Sequence, residues 1–265
     1  MWECTFVSKN SYRLKILLSP SKNLNAKVNH RAKSVPQFLE QSQKIHAELK
    51  TKTPPELAKL HDINAKLAEL NYQRNQAWTV EGIKKEGTPA LFTFSGDVYR
   101  GLDASTLDES DLQFAEDKIW ILSGLYGILK PFDAMLPYRL EMGTDLPVGT
   151  SKNLYEFWRE ILTAYVEKNE YAYIINLASK EYSDVIDFKR LKIPVYECTF
   201  LDRVKNKYKP VNIFLKKARG LMARFLIKNK IEKVENLQYF DYENYTFDPK
   251  LSSEFHFVFK RDRIS

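Results

Sequence analysis

The 265-residue chain is 44% hydrophobic and 28% charged, a composition typical of a folded globular protein. It has no window of roughly 18 uninterrupted apolar residues, and its first residues lack the basic-then-apolar order of a secretory signal. These features argue against a membrane-spanning protein. A membrane partner is disfavoured because the apolar face of the segment at 212–230 is needed for the fold. We therefore expect a cytoplasmic protein built as one compact domain or two closely merged lobes.

The regular spacing of apolar residues predicts a mixed α/β fold, with a central mixed sheet flanked by helices. In chain order, the predicted elements are a strand at 14–18, a helix at 37–50, a helix that begins in the TPPE sequence at 53–56, a strand at 90–94, a helix opened by a Thr106 and Glu109 capping box, a strand at 118–122, a helix at 153–168, strands at 171–177 and 195–200, a helix at 212–230 and a strand at 254–259. The order of the strands in the sheet cannot be derived from these patterns.

The cysteines and histidines are too scattered to indicate a metal site. Cys4 and Cys198 are far apart and belong to no CxxC pair, and the four histidines form neither an HExxH nor an HxH pattern. We expect two unpaired thiols, no metal and no cofactor. The missing ligand spacings also argue against direct sequestration of iron.

Polar side chains follow three of the predicted strands. These residues are Ser19 and Lys22 after 14–18, Ser123 and Tyr126 after 118–122, and Lys180 and Glu181 after 171–177. Ligand sites in open α/β sheets lie at the carboxyl ends of strands, so these side chains are candidates for one shared cleft. An ordinary set of strand-to-helix turns would explain the same pattern.

Two loops rich in glycine and proline add further candidates. Pro131 and Pro137 restrict the segment that leads to PYRLEMG at 137–143, and SGDVYRGL at 95–102 follows another predicted strand. The candidate residues in these loops are Asp97, Tyr138, Arg139 and Glu141. For Asp97, local hydrogen bonding within a turn is an equally good explanation.

The whole positive excess of the chain lies in one segment. Residues 201–235 hold eleven Lys or Arg and three acidic residues, against a net charge of +7 for the entire chain. Such a concentration attracts polyanions, although a solvated basic face is the commoner role of a charged segment. We expect it to bind the phosphates of a polyanion with little sequence preference, together with cations near the strand ends. The predicted phosphate contacts, which are the DNA contacts if the polyanion is DNA, are Lys22, Arg139, Lys180, Lys216, Lys217, Arg219, Arg224 and Lys228.

Within this segment, NIFLKKARGLMARFLIKNK at 212–230 predicts an amphipathic helix. Its expected core face consists of Phe214, Ala218, Leu221, Met222 and Phe225. Gly220 is expected to point away from the core, between two rows of cations. Glycine costs a helix about 1 kcal/mol relative to alanine, a cost that close approach of a ligand backbone would offset.

The motifs, taken in order, resemble the YaaA family of peroxide-stress-response proteins. The matching stretches are SPSK at 19–22, GDVYRGL at 96–102, LSGLYGILKPFD at 122–133, PYRLEMG at 137–143, LYEFW at 154–158, INLASKEY at 175–182, KKARGLMARF at 216–225 and FVFKR at 257–261. The resemblance implies a single-domain α/β fold of unusual topology at 15–265, preceded by an N-terminal extension at 1–14.

The resemblance also implies a function. Proteins of this family limit iron-dependent oxidative damage under peroxide, and bind double-stranded or distorted DNA through a basic cleft and a helix-hairpin-helix-like element. The corresponding segment here is 61–78, in which Glu69, Leu70 and Asn71 replace the usual hairpin glycines.

Our leading hypothesis is therefore a DNA-binding protein of the peroxide stress response. The alternative is an enzyme that acts on a nucleotide or nucleic-acid base in the same cleft. Its ligand would be nucleotide-like. Lys22 and Arg139 would then hold a phosphate. The groups available for hydrogen bonding or acid-base chemistry would be Ser123, Tyr126, Tyr138, Glu141 and Glu181.

Overall fold

The computed structural model describes residues 14–169 and 171–262. The strands in this part of the chain are β1 Leu14–Leu18, β2 Asn23–Leu24, β3 Thr88–Pro89, β4 Phe94–Ser95, β5 Ile119–Ser123, β6 Gly127–Leu129, β7 Ala134–Met135, β8 Tyr173–Asn176, β9 Val195–Val204, β10 Lys207–Lys209, β11 Thr246–Phe247 and β12 His256–Arg261. The helices are α1 Leu39–Lys50, α2 Pro54–His61, α3 Ala65–Ala77, α4 Val80–Glu86, α5 Ala90–Thr93, α6 Asp97–Leu102, α7 Glu109–Lys118, α8 Leu154–Lys168, α9 Lys180–Ser183 and α10 Asn212–Lys228. The mixed α/β prediction is confirmed. Residues 1–13 of the expected N-terminal extension, including Cys4, lie outside the described residues, and Leu14 belongs to β1.

The central sheet has the strand order β11-β12-β9-β8-β1-β5-β6, with β10 paired to β9. Strand β1 lies between β5 and β8 and runs parallel to both, and all five of its residues are buried. A strand covered on both faces is apolar along most of its length, which explains why LKILL was recognisable in the sequence. Its one charged residue, Lys15, donates a hydrogen bond to the carbonyl oxygen of Asp117. The antiparallel strands β6 and β11 close the two edges.

The sheet has a topological switch point at β1. The chain places β5 on one side of β1, and later places β8 on the other. In open α/β sheets, such a switch point leaves a crevice at the carboxyl ends of the strands, where ligands bind. The crevice here lies beyond Leu18 of β1 and Asn176 of β8.

Helix α10 packs its predicted apolar face inward, and Ala218, Leu221, Met222 and Phe225 are buried. The expectation for Gly220 is wrong, because this residue is also buried and contacts α6. A Cβ on Gly220 would lie 1.8 Å from the carbonyl oxygen of Val98, and one on Gly101 would lie 2.2 Å from that of Lys217. The two glycines therefore let the backbones of α6 and α10 cross in direct contact.

Two local predictions also fail. Residues 90–94 form α5 and the start of β4 instead of one strand, because a short apolar run does not distinguish a buried helical turn from a buried strand. Helix α7 begins two residues later than the Thr106 box implied. Its cap is Asp108, which pairs reciprocally with Asp111. The capping box of Thr53 and Glu56 at the start of α2 is present as predicted.

Helices α2 and α3 form a hairpin, but its turn is not where the sequence comparison placed it. Residues 69–71 lie inside α3, whereas the chain reverses at Asp62, which adopts a left-handed conformation, and enters α3 through the Asn64 cap. Within the described residues, no helix is long and apolar enough to cross a membrane.

Candidate functional site

Two serines join the strand ends at the switch point. Ser19 follows β1 directly, and Ser179 follows β8 after a short turn. The backbone N–H of Ser179 donates to Ser19 Oγ at 2.8 Å, and Ser19 Oγ–H donates to Ser179 Oγ at 3.2 Å. These bonds connect residues 160 positions apart in the sequence and fix the floor of the crevice.

Above this floor lies a cavity of about 360 Å³, called the cleft from here on. The sequence-predicted residues that line it are Ser19, Lys22, Asp97, Arg139, Glu181, Lys216 and Arg219. The lining residues that sequence reasoning did not select include Ser21, Tyr99, Ser179 and Tyr182. The structure therefore brings together residues from five separate sequence motifs.

A partly buried carboxylate, Glu141, holds one wall of the cleft. Its Oε1 accepts from Lys22 Nζ at 2.8 Å and from Arg139 at 2.9 Å, and its Oε2 lies 3.6 Å from His61 Nδ1. Burial alone would raise the pKa of Glu141, but contacts with His61 and Lys22, together with the charge of Arg139, lower it to about 2. Glu141 thus stays ionised and positions Lys22 and Arg139.

His61 was not selected from the sequence, because its role arises only when α2 packs against the loop that carries Glu141. Its side chain is fully buried. Apart from the contact with Glu141, neither ring nitrogen has a hydrogen-bond partner in the described chain. A lone histidine on a helix gives no sequence signal for such a placement.

The opposite wall of the cleft comes from α10. Lys216 and Arg219 are three positions apart, which places them on one face of the helix, next to the glycine that contacts α6. Lys216 is exposed, whereas Arg219 is largely buried, and burial lowers its pKa. Among residues 14–169 and 171–262, neither side chain forms an ion pair, and Arg219 Nε has no hydrogen-bond acceptor.

Two further carboxylates lie in the cleft. Asp97 forms an ion pair with Arg100 one turn along α6, so it also has the local role that the sequence allowed. Glu181 Oε1 accepts weakly from the backbone of Gly143 at 3.4 Å, and its carbonyl oxygen accepts from Tyr155 at 2.8 Å. Both carboxylates face the cleft as acceptors for a ligand donor.

Four predicted cleft residues do not line it: Glu141 lies behind Lys22 and Arg139, and the other three are buried in the core. Ser123, Tyr126 and Tyr138 are buried, and the Ser123 and Tyr138 hydroxyls lie 2.6 Å apart. Ser123 Oγ also accepts from the backbone of Tyr126, and the Tyr126 hydroxyl accepts from Trp78. These hydroxyls satisfy one another because polar groups buried beside a sheet must be paired. The alternative enzymatic hypothesis therefore loses these three groups from its cleft.

Most of the predicted basic stripe on α10 is engaged within the protein. Lys217 forms an ion pair with Glu243, and Arg224 donates to the carbonyl oxygens of Leu102 and Asp103 at 2.9 Å. Lys180 is exposed, lies outside the cleft and pairs with Asp184. The predicted continuous surface of unpaired cations is therefore absent from the described part of α10.

The last stripe residue, Lys228, contacts Asp111 at 2.6 Å, and Lys230 contacts the same carboxylate. Burial would raise the pKa of Asp111, but hydrogen bonds from both lysines lower it to about 2. This cluster ties the end of α10 to α7 and so has a structural role.

Unpaired cations are more numerous on the hairpin formed by β9 and β10. Lys205 and Asn206 form its turn with positive φ values of 48° and 63°. Lys205, Lys207 and Lys209 are exposed and form no ion pair with other described residues. The hairpin leads directly into α10.

The described cysteine has no features of a reactive thiol. Cys198 lies on β9, and burial raises its pKa to about 12. In the two described segments, no group of three or more His, Cys, Asp or Glu side chains is arranged to hold a metal ion.

The fold and the site define an α/β protein with a cationic cleft at the switch point of its sheet. The chain belongs to the YaaA family: the family profile described as "Peroxide stress protein YaaA" matches residues 14–251. The chain is 45% identical to a UPF0246 protein of Flavobacterium johnsoniae over 252 residues, which cover 94% of this chain and all of the relative. A UPF0246 protein of Flavobacterium psychrophilum is 44% identical over 94% of this chain and 100% of the relative. One of Marinomonas is 42% identical over 91% of this chain and 94% of the relative. The family description supports a role in peroxide stress.

Proposed function

We propose that this protein binds duplex or distorted DNA in the peroxide stress response. The DNA backbone would contact Lys22, Arg139, Lys216 and Arg219, called the cleft cations below. The observation that carries the proposal is Arg219, a largely buried guanidinium in the cleft that forms no ion pair among the described residues and whose Nε has no hydrogen-bond acceptor.

The charge of the cleft favours an anionic ligand. Four cleft cations face the carboxylates of Glu141 and Glu181, while Asp97 is paired with Arg100, which leaves two formal positive charges. A guanidinium presents a planar fork of donors that matches a phosphate, and partial burial strengthens each contact. Phosphate contacts of this kind give affinity without sequence preference.

The hairpin of β9 and β10 offers a second contact for the same backbone. Its three exposed lysines end at Lys209, seven residues before Lys216 of the cleft. A cleft that holds one stretch of backbone and a basic ribbon that contacts another would together bind more phosphates than either alone. This arrangement replaces the continuous stripe along α10 that we expected from the sequence.

DNA contact also suggests how the protein would limit oxidative damage and where it acts. Phosphates and bases covered by protein are less available to ferrous ion, whose reaction with peroxide at DNA produces strand-breaking radicals. The proposal requires no iron site in the protein. It also places the protein in the cytoplasm, with the DNA.

The test is the salt dependence of binding to a fluorescent duplex. Each phosphate contact contributes about 0.9 to the slope of log K against log salt concentration, so a Lys216→Gln, Arg219→Gln double variant should lower the slope by about 2. The matched control is Lys189→Gln, Lys192→Gln. These exposed residues precede β9 at the amino ends of the parallel strands, away from the cleft, and their replacement removes the same charge. Absent binding, or a slope equally changed in both variants, would refute the proposal.

A further inference from the structure

The size of the cleft limits what can enter it. A cube of 360 Å³ has an edge of about 7 Å, whereas the major groove alone of B-DNA is about 12 Å wide. A base-paired duplex can therefore lie across the mouth of the cleft but cannot occupy it. The volume lies at the small end of the range for small-molecule sites, about 300–1,000 Å³.

The cleft also contains donors that lack acceptors. Arg139 Nε and Arg219 Nε are both buried, and neither has a hydrogen-bond partner in the described chain. Native proteins rarely leave such atoms unsatisfied. Because both side chains line the cleft, a small rotation of each guanidinium would let an anion between them supply the missing acceptors.

The same cleft carries groups suited to the uncharged part of a nucleotide. Asp97 and Glu181 offer carboxylate acceptors for the amino and imino donors of a base, and Ser21 and Ser179 offer hydroxyls. The rings of Tyr99 and Tyr182 add apolar wall area. An inorganic anion would use the arginines but none of these groups.

The cleft is fixed before any ligand arrives. The serine pair joins β1 to β8, Glu141 holds Lys22 and Arg139, and Tyr99 donates to the carbonyl oxygen of Ser19 at 3.0 Å. A site whose walls are held in this way loses little conformational entropy on binding.

We propose that the cleft binds one nucleotide unit, with its phosphate on Arg139 and Arg219 and its base towards Asp97 and Glu181. This inference rests on the proposed function, because the nucleotide would reach the cleft by swinging out of a bound duplex. A free mononucleotide presents the same chemistry. The two sources are separated by experiment.

The first experiment measures binding of the free unit by calorimetry. The four deoxynucleoside 5′-monophosphates are titrated into the protein. Inorganic phosphate and deoxyadenosine are titrated separately, because they represent the phosphate and the nucleoside part of one nucleotide. We expect at least one nucleotide to bind with a dissociation constant below about 1 mM, and more tightly than either half. Arg219→Gln should weaken this binding by roughly tenfold or more, and Lys189→Gln, Lys192→Gln should leave it unchanged.

A second variant keeps all the cleft cations. Ser21 lines the cleft and is partly exposed, so Ser21→Trp should fill the cavity without removing a charge. It should abolish mononucleotide binding even if Arg219→Gln fails to fold. Undiminished nucleotide binding by a folded Ser21→Trp variant would overturn the location of the site.

The second experiment uses a duplex with one 2-aminopurine opposite a mismatch. The fluorescence of this base rises when it leaves the stack, so we expect an increase on binding that is lost in Ser21→Trp. An increase in fluorescence without affinity for free mononucleotides would still support the inference. Affinity for mononucleotides without any DNA binding would refute the proposed function but support the nucleotide site. Salt-dependent DNA binding with neither signal would support the function and overturn this inference.

Discussion

The crossing of α6 and α10 gives the sharpest structural prediction. Replacing Gly220 with alanine places a Cβ 1.8 Å from Val98 O and 2.8 Å from Leu102 N, both backbone atoms that cannot rotate away. Because real Cβ contacts stay above 3.0 Å, α10 must move by about 1.2 Å. This shift would carry Lys216 and Arg219 out of position.

The cost follows from two opposing effects. Overpacking of a rigid contact costs about 3 kcal/mol at the upper end of the usual range, while alanine gains about 1 kcal/mol of helix propensity over glycine. The net prediction for Gly220→Ala is a loss of about 2 kcal/mol in the free energy of unfolding. For a chain of this length, this loss corresponds to a Tm about 4–8 °C lower.

Urea unfolding and calorimetry measure this loss directly. Gly143→Ala is the matched control, because the nearest atom to its Cβ would be Glu181 Oε1 at an ordinary 3.4 Å, and its stability should change by less than about 0.5 kcal/mol. If Gly220→Ala proved as stable as the unchanged protein, or more stable, helix propensity would dominate. The close crossing of the two helices would then be wrong.

Three further predictions concern titratable groups. The pKa of Glu141 in the folded protein is about 2, below its usual value of about 4.5, so the ionised side chain stabilises the fold by about 3 kcal/mol. This contribution is complete above pH 4.5 and is lost as pH falls towards 2. Urea unfolding of Glu141→Gln should therefore show a flatter dependence of stability on pH in this range. In a Cys4→Ser background, Cys198 should react with iodoacetamide only as fast as the protein unfolds, and rapid alkylation of the folded protein would contradict its burial. Lys228→Gln should lower stability slightly in urea unfolding while DNA affinity stays within twofold, because this lysine is paired with Asp111. A large loss of affinity would show that Lys228 contacts DNA after all.

Sequence reasoning located strands whose apolar character is imposed by burial. It predicted β1 correctly from end to end, and placed β5 within one residue, because these strands are covered on both faces. It failed at 90–94, where a four-residue helix and a short strand share one apolar run. Local patterns carry no information about which of these conformations the surrounding structure selects.

The candidate site was only partly predictable, for the same reason. The polar strand ends at Ser19 and Glu181 were identified because a motif follows each strand, and both line the cleft. Ser123 has an identical sequence signature, yet it is buried against Tyr138. The direction in which a side chain leaves a turn depends on partners far away in sequence.

Charge was the sequence feature that predicted the candidate site least well. Counting residues identified the segment at 201–235 correctly as basic, but could not show that Glu243 and Asp111 would pair with three of its lysines. Conversely, the importance of Gly220 was recognised, but its contact is with α6 instead of a ligand. Acidic partners from distant elements decide which cations remain available.

The most direct test of the account is a crystal structure of the protein with a short duplex that carries one unpaired nucleotide. We expect phosphate oxygens at hydrogen-bond distance, about 3 Å, from Arg219 and Lys216, with the unpaired nucleotide inside the cleft. A duplex bound to another face, with no phosphate near either side chain, would contradict it.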